Sequence, residues 1–375
     1  MKSHSLPHIS AILLLLTLLS LLWVACDAQT PDQTAQIQQT SLRTIKQYTL
    51  DKANQLKTNA TTLKNSSTSY YNLAKAANFD YANLAKGQQA QVLTLLNQAR
   101  NALLTAFPTY NQMQGIVAVI PSLQEYDIIL ASGVAGSGSA ASDNISGSQQ
   151  GTIVPFDLTL PDGRVLTAPG NLFDVLENSL WGLLRAYQTK VPFDYHTKYQ
   201  NIGNTLPDAN ILISSATAMD KYTSQLLTAI QKWQPTLTEV FNTLTTNLAS
   251  VQNMYASWEI TLFVATPAVK QFDMSVRSHL TDFIDNIAGW QKIYAALSPL
   301  ARTADSAQDA QITKGLDDLK KYVSDIDNHY MQNPQSKDFD LIHVDLLKTE
   351  TANRANAVHD QLVRVAAKLK VVIQQ

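Results

Sequence analysis

Two carboxylates stand three residues apart in the stretch between Pro169 and Gly182. They are Asp174 and Glu177. If the stretch is helical, their side chains share a face, because residues three apart are neighbours on a helix. Two oxygen donors on one face suit a hard divalent cation or iron, provided that other elements supply further ligands. In the alternative interpretation, Asp174 only complements the positive end of the helix dipole, and Glu177 is solvated. The spacing alone leaves both interpretations open.

The sequence lacks the common signatures of catalysis. It contains no His-Glu-x-x-His, no Gly-x-Ser-x-Gly and no phosphate-binding Gly-x-x-x-x-Gly-Lys segment. Beyond the first 25 residues, the histidines are scattered, and no two of them are four residues apart: His196, His279, His329, His343 and His359. Each is interpreted as a surface or capping histidine, although any of them could complete a ligand set.

The N-terminus has the pattern of an export signal. Lys2 precedes an apolar run without charges from Ile9 to Ala25, which predicts a signal peptide over residues 1–25. At about 1.5 Å per residue, the run could also just span a bilayer of about 30 Å as an uncleaved anchor.

The only cysteine of the chain, Cys26, follows this apolar run directly. It therefore has no partner for a disulfide within the chain. Its position resembles the lipobox of bacterial lipoproteins, although Trp23 stands where Leu is usual. The resemblance predicts acylation of Cys26 and a lipid-anchored protein at the cell membrane, facing the periplasm or the exterior. Ordinary cleavage after Ala28 is the alternative.

Composition excludes one class of partner. Only 15% of the residues are charged, and the formal net charge is −2. Binding to nucleic acid draws on clustered Lys and Arg, and the sequence has no such cluster, so no nucleic-acid partner is expected. The membrane is expected to be contacted through the lipid rather than through a basic patch.

Apolar side chains recur every three or four residues along most of the chain, which predicts an all-α fold of up-down helix bundles with one small β-hairpin insertion. Residues 26–39 are predicted to be the anchor and a polar tether, and residues 40–130 the N-terminal helices. Residues 131–168 should contain a Gly/Ser loop and a hairpin turning at Pro161-Asp162-Gly163. Residues 169–375 should form the C-terminal bundle. Its helices are predicted over residues 169–189, 208–233, 235–264, 269–300, 308–330 and 344–375.

The segment Gly170-x-x-Phe173-Asp174-x-x-Glu177-x-x-Leu180-Trp181-Gly182 is similar to the signature of imelysin-like proteins, which include the EfeM/EfeO-type lipoproteins associated with iron uptake. Two further segments resemble parts of that family in the same order: residues 121–127, and residues 282–294 with their Asp-Phe-x-x-Asn-type pattern. The resemblance implies two packed up-down helix bundles that form one all-helical unit over residues 40–375, with a site between the bundles.

The family's signature has His where this chain has Asp174, so only Glu177 is carried over from its His-x-x-Glu pair, which is proposed to bind a metal. His279 lies near a position where the family often has His, but it is out of register and is not carried over. The pair Asp174 and Glu177 is therefore the predicted metal site, with Asp127 and Asp282 as candidate further oxygen donors.

Three functions remain open after this comparison. In the first, the lipoprotein binds iron, another divalent metal or a metal-bearing ligand, together with other components of a metal-uptake system. In the second, it is a helical cell-envelope scaffold that has lost the metal site. The third is a metal-dependent hydrolase, for which the sequence nominates no base. We expect the chain not to be an enzyme.

Overall fold

A computed structural model of the chain describes residues 31–133, 156–167, 169–195 and 202–373. The predicted signal peptide, Cys26, most of the Gly/Ser loop and His196 lie outside the described residues. Within them, no helix combines the length and the apolar character that crossing a membrane requires.

The described residues are almost entirely helical, which confirms the predicted fold class. The α-helices are α1 (Pro31–Ala76), α2 (Tyr81–Gly87), α3 (Gln89–Val119), α4 (Gln124–Asp127), α5 (Leu172–Leu180), α6 (Ala209–Lys232), α7 (Leu237–Ala249), α8 (Val251–Phe263), α9 (Pro267–Ser275), α10 (His279–Gln332) and α11 (Leu341–Lys368). A π-helical turn (Ile128–Ser132) follows α4, and two short 3-10 turns lie at Arg185–Tyr187 and Lys337–Phe339.

The helices pack in two groups that share their longest members. One group contains α6 and part of α1 and α3, and the other contains α7, α8, α10 and α11 against the remainder of α1 and α3. At about 1.5 Å per residue, the 46 residues of α1 extend over about 69 Å and reach both groups. The buried apolar side chains form one continuous cluster. The predicted division into N-terminal and C-terminal helices therefore does not separate two cores.

Helix α1 begins at Pro31 and not near Thr40, so the predicted tether of residues 26–39 is wrong from residue 31 onwards. The Gln, Thr and Ala residues there are exposed or half-buried, and a polar stretch of this kind remains helical because it continues a packed helix. Only residues 27–30 separate Cys26 from the start of α1.

The apolar stripe from residue 235 to 264 predicted one helix, but the structure has two. Helix α7 begins with the predicted capping box of Thr236 and Glu239 and ends at Ala249. Ser250 has φ −88° and ψ 3°, and α8 continues from Val251. The stripe is continuous because both helices bury the same side against the core, so periodicity could not reveal the break.

Further along the chain, the predicted break between residues 300 and 308 is confirmed, because α10 consists of two helical halves that meet beyond Pro299 at a kink at Asp305. The predicted single helix from residue 269 to 300 is wrong at its start, because short α9 ends at Ser275 and α10 begins at His279. Asp305 has φ −165° and ψ 102°, and its carboxylate accepts hydrogen bonds from the backbone N–H groups of Ala307 and Gln308. Asp305 thus caps the second half of α10, and the chain reverses direction at the kink without a separate loop.

In the described parts of the chain, two small antiparallel sheets flank the helices. In the predicted hairpin, β1 (Leu158–Thr159) pairs with β2 (Val165–Leu166), with Leu158 opposite Leu166. A second pair, β3 (Gln188–Pro192) with β4 (Thr205–Pro207), was missed. The segment to residue 189 was predicted to be helical, but α5 ends at Leu180, because Gly182 adopts φ +66° and turns the chain.

Candidate functional site

Four helices, α3, α5, α9 and α10, surround a small cavity with a volume of about 60 Å³. Its ionisable lining residues are Asp174, Glu177, Asp273, Arg277, His279 and Asp282. Its apolar lining includes Phe107, Phe173, Val269 and Phe272. Since a water molecule needs roughly 10–15 Å³ of such space, the cavity has room for a few waters or one hydrated ion.

Helix α5 places Asp174 and Glu177 on the cavity side, as their spacing predicted. The Asn171 side chain caps this helix by accepting a hydrogen bond of 2.8 Å from the backbone N–H of Asp174. Asp174 therefore lies in the first turn, where a carboxylate also complements the helix dipole. Asp174 thus lines the cavity and also complements the helix dipole, whereas Glu177 is not a solvated surface residue but a half-buried one facing the cavity.

Burial raises the pKa of Glu177 well above its ordinary value. The negative charge of Asp174 raises it further, the nearby His279 acts in the opposite direction, Asp282 raises it again, and Arg277 lowers it. The physical cause is a cluster of like charges in a region that water hardly enters.

Arg277, just before α10, lies between two carboxylates of that helix. Its Nε donates to Asp282 Oδ1 at 2.6 Å, and its Nη2 donates to Asp285 Oδ2 at 2.5 Å. Asn111 of α3 donates to the same Oδ1 of Asp282 at 2.7 Å. Asp282 therefore lines the cavity as predicted, but its carboxylate already neutralises a cation of the protein.

His279 is the first residue of α10 and contacts a deeply buried carboxylate. Its Nδ1 lies 2.7 Å from Asp273 Oδ1, and its backbone N–H donates to the same oxygen at 2.9 Å. The other oxygen of Asp273 accepts a hydrogen bond of 2.8 Å from the Tyr330 hydroxyl. Only 1% of Asp273 is exposed, so this carboxylate holds His279 and Tyr330 together.

The fourth predicted oxygen donor, Asp127, does not line the cavity. It is fully buried behind α3, where Oδ1 accepts hydrogen bonds from the Tyr110 hydroxyl at 2.7 Å and from the Gln114 amide at 3.2 Å. Burial raises its pKa to about 6, while hydrogen bonds from Tyr110, Ser132 and Gln114 lower it. Gln114 also lines the cavity, so its side chain connects the cavity with the buried Asp127.

The structure thus brings Asp174, Glu177 and Asp282 together and leaves Asp127 apart. Across the described ranges, no three His, Cys, Asp or Glu side chains are already arranged to hold a metal ion. The donor types suit a divalent metal, but Asp282 is engaged by Arg277. Binding would therefore require side chains on α5 and α10 to rotate towards one another.

Sequence reasoning missed three contributors to the site. Arg277 and Asp273 belong to no motif, and His279 was not carried over because a slip of one residue rotates a helical side chain by roughly 100°. That objection assumed a continuous helix through His279. The available signal was Ser278, which is a typical N-cap residue and starts α10 here by accepting from the backbone N–H of Thr281 at 3.0 Å.

Three residues of the family-like segments allow close packing around the site. Trp181 packs edge-on against Phe272 of α9, with ring centroids 5.3 Å apart. Gly182 lets the chain turn at positive φ, and a Cβ there would lie 2.6 Å from Gly203 Cα. Gly289 allows α10 to approach α3, since a Cβ at this position would lie 2.1 Å from the carbonyl oxygen of Gln112.

An all-helical fold with a carboxylate-rich cavity between helices defines a class of helical-bundle proteins whose site is built by side chains from several helices. The family model Imelysin (Peptidase_M75) matches residues 165–369, more than half of the 375-residue chain. The chain belongs to the imelysin family. The comparison with curated proteins and the comparison with solved structures gave no significant match.

Proposed function

We propose that the protein is an exported, lipid-anchored member of the imelysin family that binds a divalent metal ion in the cavity, in the service of metal uptake. The observation that carries the proposal is the convergence of Asp174, Glu177 and Asp282 on one small space. Burial raises the pKa of Glu177, repulsion from Asp174 and Asp282 raises it further, and a bound dication would relieve that repulsion. Arg277 supplies only part of the neutralising charge.

The volume of the cavity favours a small ligand over a large one. Sites for drug-sized molecules typically measure about 300–1,000 Å³, whereas this cavity measures about 60 Å³. A metal ion with its remaining waters fits this space. A peptide or a large metal-bearing ligand would need a wider opening between α9 and α5, which argues against a peptidase acting in this conformation.

Thermal unfolding of the full chain with Fe²⁺ under anaerobic conditions, Mn²⁺, Zn²⁺ and Ca²⁺ tests the proposal. A ligand that binds only the folded state at a concentration of 100 times its Kd stabilises that state by about 2.7 kcal/mol. We expect at least one of these ions to raise the melting temperature, and both Glu177→Gln and Asp174→Asn to reduce the rise. Asp325→Asn is the matched control, because Asp325 is an exposed carboxylate paired with Lys321 on α10. Failure of every ion, or an unchanged response in Glu177→Gln, would contradict the proposal.

Export and anchoring are proposed on the sequence of the first 26 residues. If Cys26 is acylated, the four residues before Pro31 hold the start of α1 within about 18 Å of the lipid, since an extended residue spans at most about 3.6 Å. Mass spectrometry of the membrane fraction should find a diacylated or triacylated Cys26 at the N-terminus. In Cys26→Ala, we expect the protein to leave the membrane fraction, and retention there would favour an uncleaved anchor.

One observation favours the second candidate, a scaffold that binds another cell-envelope protein. Large apolar side chains are exposed at the end of α8 and the beginning of α11: Ile260, Phe263, Val264, Leu341, Ile342 and Leu346. The two helix ends are neighbours, because Lys348 contacts Glu259 at 2.8 Å and Thr351 donates to the Tyr255 hydroxyl at 2.9 Å. Exposed apolar patches often mark interaction sites. If no metal stabilises the chain, loss of a co-purifying envelope protein in Val264→Ser with Ile342→Ser would support the scaffold.

A further inference from the structure

The walls of the cavity control access to its carboxylates. The space of about 60 Å³ lies between α3, α5, α9 and the start of α10. Local opening of a folded protein occurs most easily where few apolar side chains are buried. A ligand is therefore expected to enter through the least firmly packed of these four elements.

Helix α9 is that wall. Of its nine residues, only Phe272 and Asp273 are buried. Helix α5 also has nine residues, and six of them are buried. Helix α9 packs mainly against α8 and α10, its neighbours in the chain. It can therefore move while the long helices of the core keep their contacts with one another.

The C-terminal half of α9 is held firmly through Asp273. This carboxylate is 1% exposed and accepts a hydrogen bond of 2.9 Å from the backbone N–H of His279, at the start of α10. It also accepts a hydrogen bond of 2.8 Å from the hydroxyl of Tyr330, which is fully buried on the second half of α10. Asp273 thus joins α9 to both halves of α10 and forms a fixed point about which α9 can turn.

The N-terminal end of α9, in contrast, lies at the surface. Val264, which follows α8, is 76% exposed, and Pro267 is exposed as well. The cap of α9 is local, because the hydroxyl of Thr266 accepts from the backbone N–H of Val269 at 3.4 Å. Proline at the first helical position also sets the backbone in advance. The first turn can therefore keep its shape while this end of the helix moves.

One aromatic contact holds the cavity side of α9 in place. The ring of Phe272 packs edge-on against Trp181, which follows α5, with ring centroids 5.3 Å apart. Phe272 and Val269 both line the cavity. Separation of the two rings would open the cavity between α9 and α5, and Asp273 would keep its partners on α10.

We infer that α9 is a lid over the cavity, which turns about Asp273 and lifts at its N-terminal end, with the contact of Phe272 and Trp181 as the latch. The inference rests on the proposed function only for what enters, and it adds how the site is reached. The open form exists without a ligand as a minor population, and a ligand that needs it for entry draws on that population.

Thiol labelling of the full chain with iodoacetamide, without added metal, tests the lid. Cys26→Ala leaves the chain without any other cysteine. In this background, Asn111→Cys places a thiol on α3 at the cavity. Thr109→Cys is the matched control on the same helix, because Thr109 is 6% and Asn111 8% exposed but Thr109 does not line the cavity. We expect the thiol at position 111 to react faster than the thiol at position 109.

Variants of the latch and of the flank of α9 show whether the reaction depends on movement. Phe272→Leu keeps an apolar wall and loses the ring contact, so it should accelerate labelling at position 111 by about twofold to tenfold, the equivalent of one aromatic pair. Phe263→Leu is its control, because Phe263 lies just before α9 and is 40% exposed, and it should change nothing. Ala265→Gly loosens the flank without touching the cavity and should accelerate labelling by about twofold to fivefold. None of the three should change labelling at position 109.

The outcomes separate the lid from the function on which it rests. If Phe272→Leu and Ala265→Gly accelerate labelling at position 111 but no metal ion stabilises the chain, the lid stands and the proposed function is wrong. If a metal ion stabilises the chain but neither variant changes labelling there, or both positions respond alike, the lid is wrong and the proposed function stands. Should Asn111→Cys fail to fold, Gln114→Cys replaces it, since Gln114 also lines the cavity from α3 and is 1% exposed.

Discussion

Asp127 and Glu177 are both acidic residues that the sequence singled out for the same metal site, and the structure gives them opposite surroundings. Asp127 is enclosed on all sides and receives hydrogen bonds from Tyr110 and Gln114. Glu177 faces a cavity that contains further carboxylates and an arginine. Burial raises the pKa of both residues. Of the two, Glu177 is the one with neighbouring charges that a bound cation could neutralise.

The difference shows that a raised pKa is by itself no sign of function. At Asp127, burial exceeds the effect of the hydrogen bonds, and the result is a carboxyl that holds α3 against α4. At Glu177, repulsion adds to burial, and the relief of that repulsion is available to a ligand. Variants of the residues around Glu177 and of Asp127 can test whether the two carboxyls differ in this way.

Removal of Arg277 should have the largest effect. The Arg277 side chain is 10% exposed and binds Asp282 and Asp285. Breaking such a pair leaves uncompensated charge and typically costs about 3–5 kcal/mol. We expect Arg277→Gln to lower the free energy of unfolding by about this amount in urea unfolding with a chelator present. Metal ions should then stabilise the variant more than the wild type, because Asp282 becomes available.

If metal ions stabilised the Arg277→Gln variant less than the wild type, the contrast drawn between Glu177 and Asp127 would be wrong. It would mean that the arginine assists binding and that the negative charge of the cavity is not what attracts the ligand. Arg164→Gln is a suitable control, since Arg164 also pairs with two carboxylates but is 48% exposed. Exposed pairs are worth about 0.2–1 kcal/mol.

Asp127 should control the pH dependence of stability. Its pKa is raised from 3.8 to about 6 in the folded protein. A raised pKa favours folding while the carboxyl is protonated, so this contribution is complete below about pH 4 and is lost as the pH rises through 6. Because a tenfold change in proton affinity corresponds to about 1.36 kcal/mol, the loss amounts to about 3 kcal/mol.

Urea unfolding of the wild type and of Asp127→Asn between pH 4 and 7 measures this effect. The wild type should lose stability relative to the variant as the pH increases, because the Asn amide stays neutral. Metal binding should be the same in both, since Asp127 does not line the cavity. If metal ions no longer stabilised Asp127→Asn, Asp127 would have to be counted among the metal ligands again.

How far the sequence could predict these surroundings differs between the two carboxylates. The three-residue spacing of Asp174 and Glu177 was sufficient to place both on one face of α5, because that geometry is local. The position of Asp127 depends on a four-residue helix and a π-helical turn, and the spacing of apolar residues predicts neither of them. Its partners, Tyr110 and Gln114, come from another helix.

The fold shows the same division between local and distant causes. Apolar spacing predicted most helices, and Pro-Asp-Gly predicted the hairpin that pairs Leu158 with Leu166. The break at Ser250 arises where the helices must fit around the core, and it does not interrupt the apolar stripe. The predicted break between residues 300 and 308, in contrast, corresponds to the kink at Asp305. The place of His279 depends on where α10 begins, and that start is fixed by Ser278 together with the distant contact of Asp273 with Tyr330.

Glu177→Gln should have a smaller effect on stability than the loss of Arg277, because Glu177 faces the cavity and can adjust within it. Its pKa is raised, so it too favours the folded state when protonated and disfavours it as the pH rises through the folded pKa. With a chelator present, Glu177→Gln should therefore melt at a higher temperature than the wild type at pH 8, and the difference should narrow towards pH 4.

The charged groups that act on Glu177 are Asp174 on α5, Arg277 just before α10, and His279 and Asp282 at the start of α10. A Gln variant that is less stable than the wild type at pH 8 would show that Glu177 makes a favourable ion pair in the folded protein. In that case, the repulsion from which metal binding was inferred would be absent.

The smallest effect is expected at His343, which reproduces the His279 contact in solvent. Asp340 caps α11 by accepting from the backbone N–H of His343, and this bond does not depend on the imidazole. The ring itself adds only an exposed contact of 2.8 Å. His343→Gln should consequently change the free energy of unfolding by less than about 0.5 kcal/mol, the usual range for surface substitutions.

His279→Gln should change the free energy of unfolding by more, because Asp273 would remain buried and would lose a hydrogen-bond donor. Urea unfolding of the two variants side by side measures the difference, and equal values would show that burial adds nothing to the histidine–aspartate contact beside the cavity.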